Sequence, residues 1–196
     1  MNAALSSPEC QGPVAITGIT GFVGGALAAR LLAAGVNVRG LVRRPDATLP
    51  KSVERVTGDL DDRDALDALI MDASLVVHCA GAVRGRNRAD FDPVNVAGTR
   101  ALLARIGQVH PGVRLIHISS LAARAPELSH YAASKRAAEA LYDDDTRCRW
   151  TLLRPTAIYG PGDQELAPLL RSMARGFAPT PAVAAAPVWR GRAAAD

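Results

Sequence analysis

The sequence has few aromatic residues and few cysteines, and it has no long apolar run. Aromatic side chains make up 4% of the 196 residues, which argues against an aromatic nucleic-acid platform and indicates an α/β interior of small residues. Cys10, Cys79 and Cys148 are odd in number and lack the spacing of metal ligands, so we expect reduced thiols, no disulfide framework and no metal. No segment approaches the roughly 18 apolar residues that a membrane helix needs.

The N-terminus also lacks the basic and apolar segments of a secretory signal, so we expect a soluble, cytoplasmic protein with no membrane partner. The net charge of +4 is modest, and the arginines are scattered along the chain. An acidic cluster between Asp59 and Asp67 further weakens the case for nucleic acid as a partner. At this length we expect one domain with a real core.

Short apolar segments alternate with segments of helical periodicity. The predicted strands cover 13–17, 36–43, 53–57, 74–79, 113–118 and 150–154, and the predicted helices cover 23–34, 62–71, about 88–109 and about 129–145. Nearly continuous Val, Ile and Leu strands are expected where helices cover both faces of a sheet. The alternation predicts a doubly wound, parallel-sheet α/β fold of the Rossmann type, with ligands at the carboxyl ends of the strands.

We expect three segments along the chain. A flexible N-terminus covers 1–12, a Rossmann-type domain covers 13–176, and a disordered tail covers 177–196. Alanine and proline alternate in that last segment without periodicity, which is typical of a chain that forms no packed core.

Residues 17–25, TGITGFVGG, place three glycines at three-residue steps between a predicted strand and a predicted helix. In this setting the first glycine permits a tight turn, the second lets the backbone approach a pyrophosphate, and the third lets the helix pack near the strand. Amide groups at the helix N-terminus then bind the anion. Gly18, Gly21 and Gly24 are therefore predicted to bind a dinucleotide, with a simple packing turn as the alternative.

The second predicted strand ends in LVRRPDA, where an acidic residue would accept hydrogen bonds from a free ribose 2′-hydroxyl. Arg43 and Arg44 suit a 2′-phosphate instead, because a guanidinium makes planar, bidentate contacts with phosphate. The sequence therefore favours NADP over NAD. Asp46 keeps NAD as the alternative, and either arginine could be a solvated loop charge.

Residues YAASK place Tyr131 and Lys135 four apart on one face of a predicted helix. A cation beside the phenol favours its ionised form, so Tyr131 can exchange a proton with a substrate hydroxyl or carbonyl, and Lys135 can donate to the nicotinamide ribose. At the end of the fifth strand, Ser119 or Ser120 can orient the reacting oxygen. Either serine could instead cap a turn.

Two further segments add to this pattern. HCAG at 78–81 ends the fourth strand with small residues, which either let a cofactor approach or pack closely. Asn95, in VNVAGT, lies in a predicted helix, where it either bonds backbone or water near the site or lies on the helix surface.

Seven motifs occur in order: TGITGFVG, GDL at 58–60, HCAG, VNVAGT, SS, YAASK and LRPTAIYGPGD at 153–163. Together they resemble the extended short-chain dehydrogenase/reductase superfamily, in its NAD-dependent epimerase/dehydratase branch, over residues 13 to about 176. The resemblance implies a catalytic set of Ser120, Tyr131 and Lys135, with Ser119 as the second choice for the serine. It implies cofactor binding by Gly18, Gly21, Phe22, Val23, Gly24, Arg43, Asp59, Leu60, Ala80, Gly81, Tyr131, Lys135 and Pro155.

The resemblance also implies an activity. The chain would be an NAD(P)-dependent oxidoreductase of the epimerase/dehydratase type that acts on a small molecule, such as a nucleotide sugar, a sterol-like alcohol or a ketone, with a homodimer as one candidate assembly. Members of the family are longer, so we expect the C-terminal substrate lobe to be largely absent through a frame shift, an early stop or a fragmentary gene. The alternative function is a truncated dinucleotide-binding module with little or no turnover.

Overall fold

The computed structural model describes residues 12–143 and 146–177. The predicted flexible segment at 1–12 and the predicted tail at 177–196 therefore lie outside the described residues, apart from Gly12 and Phe177. The chain divides into two compact units, with the boundary between Ile158 and Tyr159.

The first unit is built on a parallel sheet of six strands in the order β3-β2-β1-β4-β5-β6. The strands are β1 Val14–Thr17, β2 Val38–Val42, β3 Glu54–Thr57, β4 Leu75–His78, β5 Arg114–Ile118 and β6 Arg149–Leu153. Every pairing in the sheet is parallel. The strand order reverses between β1 and β4, which is the position where doubly wound sheets bind ligands. The predicted fold class is confirmed.

Five helices belong to the first unit and one to the second, within the residues that the structure describes. They are α1 Phe22–Ala33, α2 Arg63–Ile70, α3 Arg88–Asp92, α4 Thr99–Val109, α5 His130–Glu139 and α6 Ala167–Ala174. Two short 3-10 turns, Leu121–Arg124 and Pro126–Leu128, lead into α5. Across these ranges no helix is both long enough and apolar enough to cross a membrane.

The helix predicted at about 129–145 is shorter than expected. It ends at Glu139, and the chain then turns at Asp143, whose amide donates to Thr146 Oγ1 at 3.1 Å. The sequence continues with three aspartates from residue 143, and negative charge is unfavourable near the C-terminus of a helix. The acidic run explains why the helix does not continue.

The helix predicted at about 88–109 contains a local change of geometry. Residues Pro93–Gly98 form a π-helical segment between α3 and α4. Pro93 has no amide hydrogen and therefore cannot donate to the turn before it, which favours a wider turn at this point. Such segments often occur at functional sites, and this one buries Asn95.

Two hydrophobic clusters cover the two faces of the sheet. Ala15 and Leu41 of the strands pack with Leu66 and Leu69 of α2, in a cluster that also contains α4 side chains. The neighbouring strand residues point the other way, and they pack in a second cluster with Ala28 of α1. This alternation along the central strands is expected for a sheet that helices cover on both sides. Most residues of the edge strands β3 and β6 are exposed.

We predict that Leu69→Ala lowers the free energy of unfolding by about 2–5 kcal/mol, because it leaves a cavity in the first of these clusters. The Leu69 side chain is 0% exposed. Leu128→Ala is the matched control, since Leu128 is 78% exposed and its loss is expected to change stability by about 0.5 kcal/mol or less. Urea denaturation followed by circular dichroism measures both, and equal effects of the two substitutions would contradict the packing described here.

Candidate functional site

The turn after β1 brings two backbone segments closer together than side chains would allow. Gly18 has φ of +68°, and a Cβ added there would lie 2.5 Å from the Ala80 amide nitrogen. A Cβ on Gly24 would lie 2.3 Å from the Gly18 carbonyl oxygen. Both positions therefore require glycine. The turn thus packs tightly and also opens onto a cavity.

The first turn of α1 contains the predicted residues Phe22, Val23 and Gly24. Gly21 is the N-cap residue of this helix. Because glycine has no side chain, no capping group competes with an anion for the amides of that turn.

A cavity of about 450 Å³ lies at the carboxyl edge of the sheet. Of the predicted cofactor-binding residues, its lining contains Gly18, Gly21, Arg43, Asp59, Leu60, Ala80 and Gly81. These residues follow β1, β2, β3 and β4, so the fold brings together motifs that are far apart in the sequence. This cavity, which begins at the glycine turn, is called the groove below.

Other lining residues were not predicted from the sequence: Thr20, Leu41, Asp61, Cys79, Ala82, Pro93 and Val94. Most of them adjoin a motif, so the signal for them was position next to a named segment. Cys79 is the one thiol in this list. Burial raises the pKa of this thiol to about 11, and the nearby Lys135 ammonium partly offsets the rise. Cys79 and Cys148 are both free thiols.

A second cavity, of about 440 Å³, lies beside the end of β2. It is lined by Thr20, Arg43, Arg44 and Ala47. Arg43 lines both cavities, so a ligand in the groove would reach a guanidinium at this end. The close-packed glycine turn, the uncapped helix start and the two arginines together fit the phosphates of a dinucleotide.

Lys135 is a buried residue of α5. It is 4% exposed, and its Nζ donates to the Ile118 carbonyl oxygen at 2.9 Å. A Cβ on Gly81 would lie 3.8 Å from this Nζ. Burial lowers the pKa of Lys135 to about 8, and this shift is partly offset by the negative charge of Glu139 and by Cys79. The Lys135 ammonium therefore lies next to a residue that lines the cavity.

Tyr131 lies one helical turn before Lys135 on α5. Its ring packs against the buried Phe91 of α3, with ring centroids 6.0 Å apart and planes tilted by 59°. This contact restricts how the phenol is oriented. The predicted spacing of Tyr131 and Lys135 on one helix is thus present in the structure.

The two serines after β5 have different surroundings. Ser119 is buried, and its Oγ donates to Glu139 Oε1 at 2.6 Å. Ser120 is half-buried, and its Oγ accepts a hydrogen bond from the Ala122 amide at 3.2 Å. The hydroxyl proton of Ser119 is therefore engaged, while the Ser120 contact leaves the hydroxyl proton for another acceptor.

Asn95 is buried, so of its two alternatives the bond to backbone near the site is confirmed and the position on the helix surface is wrong. Its Oδ1 accepts from the Ala82 amide at 2.7 Å, and its Nδ2 donates to the Ala82 carbonyl at 3.0 Å and to Ser134 Oγ at 2.9 Å. Asn95 therefore joins the π-helical segment to the loop after β4 and to α5. Its burial follows from a contact between distant segments, which sequence periodicity does not show.

Two buried histidines were not singled out from the sequence. His78 and His117 are partners across β4 and β5, with ring centroids 4.8 Å apart. Burial lowers the pKa of His78 to about 3 and that of His117 to about 2, with Lys135 adding to both shifts. Both rings are therefore neutral at ordinary pH. Two histidines at matching positions of neighbouring predicted strands were the available signal.

The hydrogen bonds of His78 define its tautomer. Thr99 Oγ1 donates to the Asn95 carbonyl at 2.7 Å, which uses its only proton, so it accepts from His78 Nε2 at 2.9 Å. His78 Nδ1 then accepts from Thr17 Oγ1 at 2.7 Å, and Thr17 Oγ1 itself accepts from the Ala80 amide at 3.2 Å. One directional chain of hydrogen bonds therefore joins the groove to the π-helical segment.

Pro155 follows β6, and its carbonyl accepts from the Leu121 amide at 2.8 Å. This contact places Pro155 beside the segment that carries Ser120.

Across residues 12–143 and 146–177, no group of three or more His, Cys, Asp or Glu side chains is placed to hold a metal ion.

Two curated proteins are similar to this chain in sequence. A ceramide reductase of Caulobacter vibrioides is 45% identical over 172 residues, which cover 85% of this chain and 53% of that protein. A decarboxylating sterol-4-alpha-carboxylate 3-dehydrogenase of Candida albicans is 31% identical over 147 residues, which cover 64% of this chain and 42% of that protein. The chain therefore spans about half the length of these relatives.

Solved structures share the fold. MoeE5, in complex with UDP-glucose and NAD, has a TM-score of 0.71 and 29% identity, and the match covers 84% of this chain and 62% of that one. WbmH of Bordetella bronchiseptica, in complex with NAD, also has a TM-score of 0.71, and its 21% identity supports the fold alone. The model of the NAD-dependent epimerase/dehydratase family matches residues 14–184. The chain thus belongs to the NAD-dependent epimerase/dehydratase family.

Proposed function

We propose that the chain forms the dinucleotide-binding and catalytic part of an NADP-dependent oxidoreductase. One observation carries this proposal: the Lys135 ammonium lies next to Gly81, which lines the groove over the glycine turn. The helix that carries Tyr131 and Lys135 therefore reaches the predicted dinucleotide site. The bound nicotinamide would supply or accept a hydride at a hydroxyl or carbonyl carbon.

The side chains have separate tasks in this proposal. Tyr131 donates a proton to the carbonyl oxygen as the carbon gains the hydride, and it takes that proton back in the direction of oxidation. Lys135 stabilises the ionised phenol and donates to the nicotinamide ribose. Ser120 donates a hydrogen bond to the reacting oxygen, which its hydroxyl proton is available to do.

The choice of NADP rests on the end of β2. The relative MoeE5 was solved with NAD, which supports a nicotinamide dinucleotide in this chain. Arg43 and Arg44 line the same cavity beside the groove, and two guanidiniums suit a 2′-phosphate better than a 2′-hydroxyl.

The substrate proposed here is a carbonyl group on an apolar, ceramide-type lipid. The identity of 45% with a ceramide reductase exceeds the 29% with a structure that holds a nucleotide sugar. Leu121, next to Ser120, and Leu128, three residues before Tyr131, have exposed side chains. Apolar side chains near the catalytic residues support an apolar substrate over a sugar.

We expect Arg43→Ala to raise the Kd for NADPH by about tenfold or more, because a charge-assisted hydrogen bond to phosphate is worth about 1.5–3 kcal/mol. The Kd for NADH should change little. Calorimetric titrations with both nucleotides measure this, and Arg30→Ala, at an exposed arginine of α1, is the control. Equal weakening of NADPH and NADH binding would contradict the proposed 2′-phosphate contact.

Tyr131→Phe is expected to lower turnover by about two to four orders of magnitude, as loss of a general acid does, while NADPH binding stays nearly unchanged. The control is Tyr142→Phe, which removes a phenol that bonds His117 Nδ1 at 2.9 Å and should keep turnover. NADPH oxidation and NADPH titration are measured for each variant. If binding and turnover fell together in Tyr131→Phe, the proposed proton transfer would be refuted.

A substrate panel tests the substrate class. We expect NADPH to be oxidised faster with a ceramide that bears a carbonyl group than with UDP-sugars. The rate is measured as the decrease in absorbance of the reduced nicotinamide. A higher rate with a UDP-sugar would overturn the lipid assignment. NADPH binding without oxidation by any carbonyl compound would instead favour a binding module without turnover.

A further inference from the structure

Three chain segments carry the proposed catalytic and cofactor-binding residues, and one buried carboxylate of the first segment is hydrogen-bonded to the other two. Helix α5 carries Tyr131 and Lys135, the segment after β5 carries Ser120, and the segment after β6 carries Pro155. Glu139 is the last residue of α5, one helical turn after Lys135, and it is 5% exposed. A charged side chain is rarely this buried unless it is paired.

The pairing of Glu139 is extensive. Its Oε1 accepts from Ser119 Oγ at 2.6 Å and from Arg154 Nε at 2.9 Å, and its Oε2 accepts from Arg154 Nη2 at 2.6 Å. Arg136 lies farther away, with Nη1 3.7 Å from Oε2. The Arg154 contact is bidentate, which fixes direction as well as distance. Glu139 therefore joins α5 directly to the ends of β5 and β6.

Backbone hydrogen bonds complete the connection around Ser120. The Ser119 amide donates to the Leu153 carbonyl at 2.8 Å, and the Leu121 amide donates to the Pro155 carbonyl at 2.8 Å. Ser120 thus lies between two residues whose backbones are bonded to the β6 segment. The hydrogen bond from Ser119 to Glu139 therefore fixes the position of the segments after β5 and β6 relative to α5.

We propose that Glu139 is a positioning residue, whose carboxylate holds Ser120 in place relative to Tyr131 and keeps a negative charge one helical turn from the Lys135 ammonium. The first half of this inference rests on the proposed function, because Ser120 and Tyr131 have their roles there. The second half concerns only the charge of Lys135 in the folded chain.

The groups that face Lys135 explain why Glu139 matters for its charge. His78 and His117 are neutral at ordinary pH, and so is the Cys79 thiol. Burial by itself would raise the pKa of Glu139, but the hydrogen bonds from Arg154 and Ser119 hold it below its ordinary value. Glu139 is therefore ionised, and it is the carboxylate that opposes the loss of the Lys135 proton.

The sign of the expected effect follows from this arrangement. Replacing Glu139 by glutamine removes a negative charge and keeps nearly the same shape. The ammonium form of Lys135 then loses the attraction of this negative charge, so its pKa falls further below the value of about 8. A role in packing alone would not move this titration in a variant that stays folded.

The chain contains only two lysines, Lys51 and Lys135, which makes the titration simple to read. The full chain is labelled with lysine carrying ¹³C at Cε, and each Cε resonance is followed by NMR between about pH 6 and pH 11, which spans the range from the buried to the ordinary lysine pKa. The exposed Lys51 serves as the internal reference. Circular dichroism verifies that each variant is folded.

We expect the Lys135 midpoint to move to lower pH in Glu139→Gln, while the Lys51 midpoint stays in place. Glu127→Gln makes the same change at an exposed glutamate of the first unit and should leave both midpoints unchanged. An identical Lys135 midpoint in wild type and in Glu139→Gln would overturn the electrostatic half of the proposal. This measurement needs neither cofactor nor turnover.

Two further variants keep the charge and remove the contacts. Ser119→Ala removes one hydrogen bond, and Glu139→Asp is too short to keep both the Ser119 and the Arg154 contacts. Both should titrate at Lys135 close to wild type and lower kcat by about tenfold or more, since small misplacements of catalytic groups are costly, with the NADPH Kd nearly unchanged. Both variants also test the positioning role if Glu139→Gln fails to fold.

Wild-type kcat in both charge-keeping variants would overturn the positioning half of the proposal. If the wild-type chain turns over no carbonyl compound, the proposed function fails, and with it the role of Ser120. The lysine titration then decides on Glu139 alone, so the two failures are distinguishable.

Discussion

The groove depends on the close approach of two backbone segments at the point where the strand order reverses. Gly18 follows β1 and lies so near Ala80, which follows β4, that a Cβ would come within 2.5 Å of the Ala80 amide nitrogen. A larger residue at position 18 would force the segments apart, because backbone atoms cannot give way as a flexible side chain can. Gly18 and Ala80 both line the cavity, so this contact forms part of its wall.

Polar contacts extend this arrangement through the first unit. Thr17 and His78, at the ends of β1 and β4, connect the Ala80 amide through Thr99 to the π-helical segment, and Asn95 connects that segment to α5. Glu139 connects the far end of α5 to β5 and β6. Each of these groups is buried and hydrogen-bonded, so the cost of removing it from water is offset within the fold.

Features that depend on neighbouring residues in the sequence could be predicted. The apolar strands, the glycine turn and the Tyr131–Lys135 spacing are local patterns, and the structure contains all of them. The sequence also placed the arginines after β2, because they directly follow a predicted strand. Local spacing is sufficient here because one strand–turn–helix unit builds the turn, and one helix carries both side chains of the proposed catalytic pair.

Features that depend on distant pairs could not be predicted in the same way. The carboxylate of Glu139 has no local sign that it contacts Ser119 and Arg154, and Asn95 has the polarity of a surface residue. The end of α5 was missed because helical periodicity continues past Glu139, while the acidic run that follows disfavours the helix. The side-chain partners Ser134, Ser119 and Arg154 of Asn95 and Glu139 lie between 15 and 39 positions away along the chain.

The paired histidines have a consequence for strand alignment. His78 and His117 lie opposite each other, and each ring spends its hydrogen bonds on a buried partner. Sliding β5 by one residue along β4 would turn the His117 ring to the other face of the sheet and separate it from Tyr142. The two rings therefore hold β4 and β5 in one register. Cys79 and Ser119 come soon after them, so the same register fixes how the loops after β4 and β5 are aligned with each other.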